Sequence, residues 1–357
     1  MTTPLQAMTG GDFPTVLWND SADPRELAQS IAWGAVGATC NPVIAVQCIK
    51  NDLARWQERI VQIAQERPTA GESEIGWQVV EEISLEAAQL LAPTFAAHDG
   101  RNGRLSMQTD PRLARDANAL ADQAVHFSSL AENIIVKIPA TSVGVRAIEE
   151  AVARGVSVNV TVSFTVPQAV ATAEAIDRGM RRREVEGHDV SRMGHVVTIM
   201  VGRLDDWLKD LDARGEAEAA LHEGDLEWAG IAAFKRAYAV FQERGYRSRL
   251  LSAAFRNTKQ WSELIGGDVV ISPPFAWQEK IQAAGEIPAR RMDVPVDPDI
   301  VERLLAAFPD FRRAYDPDGL TPTDFDDFGA TRKTLRQFLG ADEELDQIVR
   351  DILIPAP

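Results

Sequence analysis

Short apolar runs alternate with longer amphipathic stretches along most of the chain. Eight of the runs read as strands buried on both faces: Thr15 to Asn19, Val36 to Cys40, Arg104 to Thr109, Ile134 to Pro139, Ser157 to Ser163, His195 to Val201, Arg249 to Ala254 and Asp268 to Ser272. Between them, helical patterns cover Pro24 to Trp33, Val43 to Gln65, Gly76 to Leu91, Pro111 to Ser129, Gly144 to Arg154, Pro167 to Glu186, Leu204 to Tyr246 in two or three pieces, and Thr258 to Ile265. Eight such units in one chain predict a (β/α)8 TIM barrel, with an open doubly wound sheet as the alternative. Helix starts carry the expected signals at Asp23-Pro24, Asp110-Pro111 and Thr165-Val-Pro167, where a polar cap precedes a proline in the first turn. Past the eighth strand come a connector at Pro295 to Pro298, an acidic turn-rich stretch from Asp316 to Asp327 and a terminal helix from Ala330 to Leu353. Residues 1–285 are therefore expected to form the barrel, and residues 286–357 a helical extension packed on it.

Composition narrows the classes. The chain has 357 residues, 45% hydrophobic and 25% charged, enough for one large core. No stretch approaches the ~18 uninterrupted apolar residues of a membrane span, and the opening Met-Thr-Thr-Pro-Leu-Gln lacks the regions of a signal peptide. A cytoplasmic location is expected. Cys40 and Cys48 cannot build a disulfide framework, and the histidines at 98, 126, 188, 195 and 222 have no ligand spacing, so no metal is implied. A net charge of -16 argues against broad binding to nucleic acid or anionic membrane, while leaving room for a small anion held by a few arginines.

The candidate chemistry begins at Lys137. Only seven of the 37 basic residues are lysines, and this one lies inside the apolar run Asn133-Ile-Ile-Val-Lys-Ile-Pro-Ala-Thr141. Burying an ammonium costs several kcal/mol unless it is paired, and the usual escape is a lowered pKa. A neutral amine is a nucleophile, which points to a Schiff base with a carbonyl substrate; a structural lysine snorkelling from a strand end is the alternative. In a barrel the site lies at the C-terminal ends of the strands, and polar residues gather there. Strand 1 ends in Asn19-Asp20. Strand 2 ends in Thr39-Cys-Asn41, with Thr39 and Asn41 on one face and Cys40 toward the helices. Strand 3 ends in Ser106-Met-Gln108-Thr109-Asp110, and strand 5 offers Asn159, Thr161 and Ser163 on one inward face. Arg203 and Arg256 follow strands 6 and 7, where planar guanidinium groups suit a phosphate dianion.

These residues resemble a known family. Gly37-Ala-Thr39-Cys-Asn41-Pro42, Ile135-Val-Lys137-Ile-Pro, Asn159-Val-Thr161, Val201-Gly-Arg203 and Ser252-Ala-Ala-Phe255-Arg256-Asn257 look like the ordered motifs of transaldolases, from about Val16 to the terminal helix. The resemblance implies Lys137 as the Schiff-base lysine and Asp20 as the acid/base. It implies Asn41 and Asn159 as holders of the dihydroxyacetone hydroxyls, Thr39 and Thr161 around a proton-relay water, and Arg203 and Arg256 on phosphate. Neither a metal nor an organic cofactor is implied.

Three departures stand out. Gln108 occupies the place of the family's usual catalytic glutamate, and an amide can orient a water but cannot exchange a proton at ordinary pH. A glutamine there resembles the fructose 6-phosphate aldolase branch, yet Met200 stands where that branch has a tyrosine. Thr198 and Ala254 replace serine hydroxyls near the phosphate, Thr198 being kept as a substrate-binding candidate. The third departure is the long C-terminal region. The expected function is a transaldolase of the pentose phosphate type, moving a dihydroxyacetone unit between sugar phosphates. A Schiff-base aldolase for another substrate and a catalytically weak sugar-phosphate-binding relative are the alternatives. The sequence leaves monomer and homodimer equally open.

Overall fold

The computed structural model describes residues 2–356. Among these, eight parallel strands close in sequence order into a barrel: β1 (Val16–Asn19), β2 (Ala35–Cys40), β3 (Arg104–Gln108), β4 (Ile134–Pro139), β5 (Val158–Thr161), β6 (Val196–Ile199), β7 (Arg249–Ala253) and β8 (Val270–Ser272). β8 returns to β1 through Val16 and Leu17, so the sheet has no free edge. This is the (β/α)8 TIM barrel, with further helices after β8.

Period-two alternation divides the strand residues between two cores. On β5, Val158 and Val160 face the helical layer, leaving Asn159 and Thr161 to the interior. The lower interior is a separate apolar plug of Trp18, Ile135, Val196, Leu251, Ala253 and Val270. Gly37 lies against that plug, and a Cβ there would fall 2.4 Å from the Trp18 ring.

Side-chain caps hold the loops that follow the strands. Asp23 accepts from the Arg25 and Glu26 amides, Asn41 from Ile44, Thr141 from Gly144 and Thr165 from Gln168. Three of the four capped helices have proline in the first turn, two of them at the starts expected from sequence, Asp23-Pro24 and Thr165-Val-Pro167, and the third at Asn41-Pro42. Asp110-Pro111 departs from expectation: it starts only a short 3-10 turn, Pro111–Leu113, before a new helix at Ala117–Leu130.

Other differences are local. The single helix expected over Val43 to Gln65 is two, Pro42–Asn51 and Leu53–Glu66, broken at Asp52 with φ -140° and ψ 56°. The apolar spacing passes through the break because Ile49, Trp56, Ile60 and Ile63 are all buried. Glu72–Ala97 runs longer at both ends than its pattern and contains Pro93. A short helix at Pro4–Thr9 was not expected; it buries Leu5 and Met8.

The terminal helix, Gly329–Leu353, packs on Glu72–Ala97 and on Pro42–Asn51. Trp77 Nε1 donates to its Asp342 at 3.1 Å, and Gly76 leaves room for its Leu345. Among the described residues no helix is long and apolar enough to cross a membrane.

The Gly37 contact generates a test. Gly37→Ala pushes a methyl into the ring of a fully buried tryptophan, so denaturant unfolding should report a loss of about 1–3 kcal/mol. An unchanged midpoint would mean that the plug is loosely packed.

Candidate active site

Register places the polar layer. Gln108 on β3 pairs with Lys137 on β4, which pairs with Asn159 on β5. Paired residues of parallel strands point to the same side, so these three project inward at one height, two residues above the plug position Ile135. Thr161 lies one inward step higher, beside Pro139. Thr39 pairs with Ser106 and so sits at the adjoining level on the β2–β3 side. Asp20 follows the end of β1, where its amide donates to Pro273 O at 3.3 Å and ties it to the end of β8.

The amide of Asn159 is clamped from both sides. Its Nδ2 donates to Ser106 Oγ at 2.9 Å, and its Oδ1 accepts from Thr198 Oγ1 at 2.8 Å. Thr198 therefore touches Asn159 rather than reaching toward either arginine in this structure. Asn41 keeps its Oδ1 on the Ile44 amide at 3.0 Å, which fixes the residue and leaves its Nδ2 as the available donor.

The charges around Lys137 set its chemistry. It is 4% exposed, and burial pushes the amine below its ordinary value; Asp20 pulls it partly back up and Arg203 adds to the depression. Asp20 shifts the other way: burial raises the carboxyl, while Lys137 and Arg203 oppose the rise. Both groups are thereby moved toward their uncharged forms. Cys40 faces the helices as expected, and burial pushes its thiol up to about 11.

Gln108 is 3% exposed, and its Oε1 has no hydrogen-bond partner among the described residues. It borders a cavity of about 10 Å³ with Thr161, Pro139, Leu335 and Phe338, roughly the space of one water. The terminal helix thus supplies part of the wall beside the polar layer. Thr161 Oγ1 lies 3.9 Å from Met200 Sδ, a weak acceptor.

The two arginines differ. Arg203 is half-buried, its guanidinium depressed first by burial and then by Arg256, and its Nε has no partner among the described residues. Arg256 is already engaged: Asp206 accepts from its Nε at 2.9 Å and from an Nη at 2.8 Å, while its other Nη donates to Ala254 O and Phe255 O at 3.1 and 3.0 Å. Behind it, Gln260 accepts from the Arg256 amide at 2.6 Å and donates to buried Asp205 at 2.7 Å. Gly202 is required here, because a Cβ would meet Ala254 O at 2.1 Å.

All ten candidates lie at the same end of the barrel, on the strands, in the loops that follow them or, for Arg203, in the first turn of the helix Val201–Ala213. Ser106, Asp206, Gln260 and Phe338 were not singled out from the sequence. Ser106 had a usable signal, since it shares an inward face with Gln108. The other three depend on contacts between distant segments. Among the described residues no group of three or more His, Cys, Asp or Glu is arranged to hold a metal.

Comparison with known proteins points one way. The family model described as Transaldolase/Fructose-6-phosphate aldolase matches residues 17–314. Transaldolase 2 of Streptomyces avermitilis is 29% identical over 313 residues, 80% of this chain and 82% of that one. The transaldolase of Kocuria rhizophila is 31% identical over 252 residues, 68% and 66% of the two chains. That of Mycobacterium ulcerans is 34% identical over 213 residues, 58% and 55%.

The depressed amine predicts an unusual stability effect. The net shift of Lys137 is downward with the attraction of Asp20 already included, so the folded protein bears a cost whenever the amine is charged. That cost is full below the folded-state pKa and disappears as pH rises from there through the unfolded value of 10.5. Lys137→Met should therefore raise the unfolding midpoint at pH 7, and its advantage should shrink in alkaline buffer. A lower midpoint at pH 7 would mean that the lysine is stabilised where it lies.

Proposed function

The chain belongs to the transaldolase/fructose-6-phosphate aldolase family and is a transferase, and from that premise we propose that it moves a dihydroxyacetone unit from a ketose phosphate to an aldose phosphate through a Schiff base on Lys137. The observation that carries this reading is a buried lysine of depressed basicity beside a carboxyl of raised basicity, at the strand ends of a closed barrel.

In the proposed reaction the neutral Lys137 amine adds to the ketose carbonyl, and loss of water leaves a protonated imine. Asp20 then takes the proton of the fourth-carbon hydroxyl. The bond between the third and fourth carbons breaks, and its electron pair passes into the imine to give an enamine as the aldehyde leaves. The enamine attacks the incoming aldehyde, Asp20 returns the proton to the new hydroxyl, and hydrolysis frees the lysine. Asp20 suits this traffic because burial makes it a stronger base than an exposed aspartate.

In this assignment Asn41 and Asn159 hold the dihydroxyacetone hydroxyls, with Ser106 and Thr198 fixing the Asn159 amide. Thr39 and Thr161 flank the relay water, and the cavity beside Gln108 and Thr161 supports a place for one. Arg203 and Arg256 receive phosphate, for which Asp206 must yield Arg256 or share it.

A second reading is an aldolase or transferase of the same chemistry with a different substrate. Gln108 and Met200 favour it, since neither exchanges a proton at ordinary pH, as does the carboxylate already seated on Arg256.

Two measurements test these readings. Borohydride reduction after incubation with fructose 6-phosphate, or with dihydroxyacetone, should leave a three-carbon adduct on Lys137 and none on the Lys137→Ala protein; an adduct that persists in the variant would move the chemistry elsewhere. Gln108→Glu should raise transfer between sugar phosphates by roughly tenfold or more, the scale of a gained proton-transfer group. No rise at all would remove Gln108 as a limit on proton relay.

A further inference from the structure

We propose that the opposite, N-terminal face of the barrel carries a second binding site, for a small phosphate-bearing anion, built from Arg104, His195 and Arg249. A cavity of about 300 Å³ opens there, at the lower end of the range for small-molecule sites. Its inner wall is the apolar plug: Trp18, Ile135 and Val196 line it. Ile135 precedes Lys137 by two residues on β4, so a single layer of side chains, roughly 6.6 Å along the strand, separates this chamber from the reaction layer.

The inner polar groups of this chamber are donors, and its one carboxylate, Asp99, lies exposed at the rim on Arg192. The Val158 amide donates to His195 Nδ1 at 3.2 Å, which makes that nitrogen the acceptor and puts the ring proton on Nε2. His195 is 5% exposed, and its Nε2 has no partner among the described residues. Burial, then Arg104 and Arg247, hold the ring down to about 3, so it is a neutral donor at physiological pH. Arg104 is 3% exposed; its Nε donates to Gly100 O and one Nη to Arg192 O, both at 2.8 Å, leaving the second Nη uncommitted. Arg249 donates an Nη to Arg101 O at 3.0 Å and more weakly to Asn102 Oδ1 at 3.5 Å.

Arg104 and Arg249 stand apart from their neighbours in one respect. The rim arginines have carboxylates: Arg101 pairs with Asp268, Arg192 with Asp99 and Arg247 with Glu184. Neither inner arginine has one among the described residues, although the chain carries 53 acidic residues to 37 basic ones. Backbone carbonyls supply partial charge only, and each inner guanidinium is pushed down to about 10, chiefly by burial, with nearby arginines adding to the depression and Asp268 opposing part of it at Arg249. Arg104 is buried and Arg249 half-buried with no carboxylate in direct contact among the described residues, and a bound anion is the partner that would offset the cost of that charge. Gly194 fits the same design, since a Cβ there would strike Arg104 Nε at 2.7 Å. Two guanidinium groups joined by a neutral N–H favour an anion with several oxygens and two charges over a halide or a single carboxylate.

The test isolates this face. In a protein carrying Arg203→Ala and Arg256→Ala, which removes both candidate phosphate ligands of the catalytic face, calorimetric titration with inorganic phosphate at constant ionic strength should show one saturable site. Adding Arg249→Gln should weaken it roughly tenfold or more, the scale of a lost charge-assisted contact. Glycerol 3-phosphate in a parallel titration separates the sources: tighter binding than phosphate marks an organic ester, weaker binding marks the free ion. No saturable binding, or binding indifferent to Arg249→Gln, overturns the proposal. A readout free of folding effects uses the unmutated chain, where the His195 Nε2 proton resonance should shift saturably with phosphate; a resonance that stays fixed also overturns it.

Discussion

A lysine held inside the upper layer of a closed parallel barrel sets the terms for much of the surrounding structure. An ammonium at this depth is disfavoured, and the structure answers with an acidic neighbour at the end of β1 and with neutral polar groups at the same height. Closure is what makes that arrangement possible. In an open sheet, β1 and β4 would hold their ends apart, whereas barrel closure through β8 pairing with β1 bends Asp20 round to act on Lys137. The apolar plug below matters equally, because Trp18 and its neighbours keep water from reaching the amine along the barrel axis and so preserve the desolvation that lowers its basicity.

Strand positions were legible in the sequence because each strand carries an apolar face that must meet the helices, as with Val136 and Ile138 on β4 and Val197 and Ile199 on β6. On β5 the same alternation that buries Val158 and Val160 exposes Asn159 and Thr161 as polar intruders in an interior normally filled with aliphatic groups. Asp206 on Arg256 was not legible: an acidic residue on a helix reads as a solvated surface residue until the loop after β7 folds back onto it. Thr198 is similar: its donation to Asn159 joins β5 to β6, a contact the sequence does not display, and its oxygen keeps the capacity to accept. The break at Asp52 escaped notice because a hydrophobic stripe records which side is buried, not whether the backbone is continuous.

The acidic exterior and the basic axis belong together. Many surface arginines are taken up by carboxylates, as in Arg59 with Glu82, Arg178 with Glu149 and Arg350 with Glu72. Arg203 at one end of the barrel, and Arg104 and Arg249 at the other, lack carboxylates within ion-pair distance among the described residues, so their fields extend along a low-dielectric core instead of being cancelled at once. A cleft of one sign within a body of the other focuses field lines and draws small anions inward even when the net charge repels them. A chain of net charge -16 can thus carry local basic pockets at both ends of its barrel.

Backbone strain at the strand ends fits the same division of labour. Val162 and Ala254 adopt positive φ of 50° and 61°, and each adjoins a candidate site residue or its loop: Val162 follows Thr161, and Ala254 stands two residues before Arg256. A β-branched residue in that conformation costs about 1–3 kcal/mol and persists only where its surroundings over-determine it. Here they do. Val162 is locked into the outer core and its carbonyl accepts from Gln168 Nε2 at 3.1 Å, while Ala254 O accepts from Arg256 at 3.1 Å. The turns after β5 and β7 are therefore held by burial and hydrogen bonds against their own backbone preference. Fixing those turns in advance removes the ordering cost that substrate binding would otherwise carry.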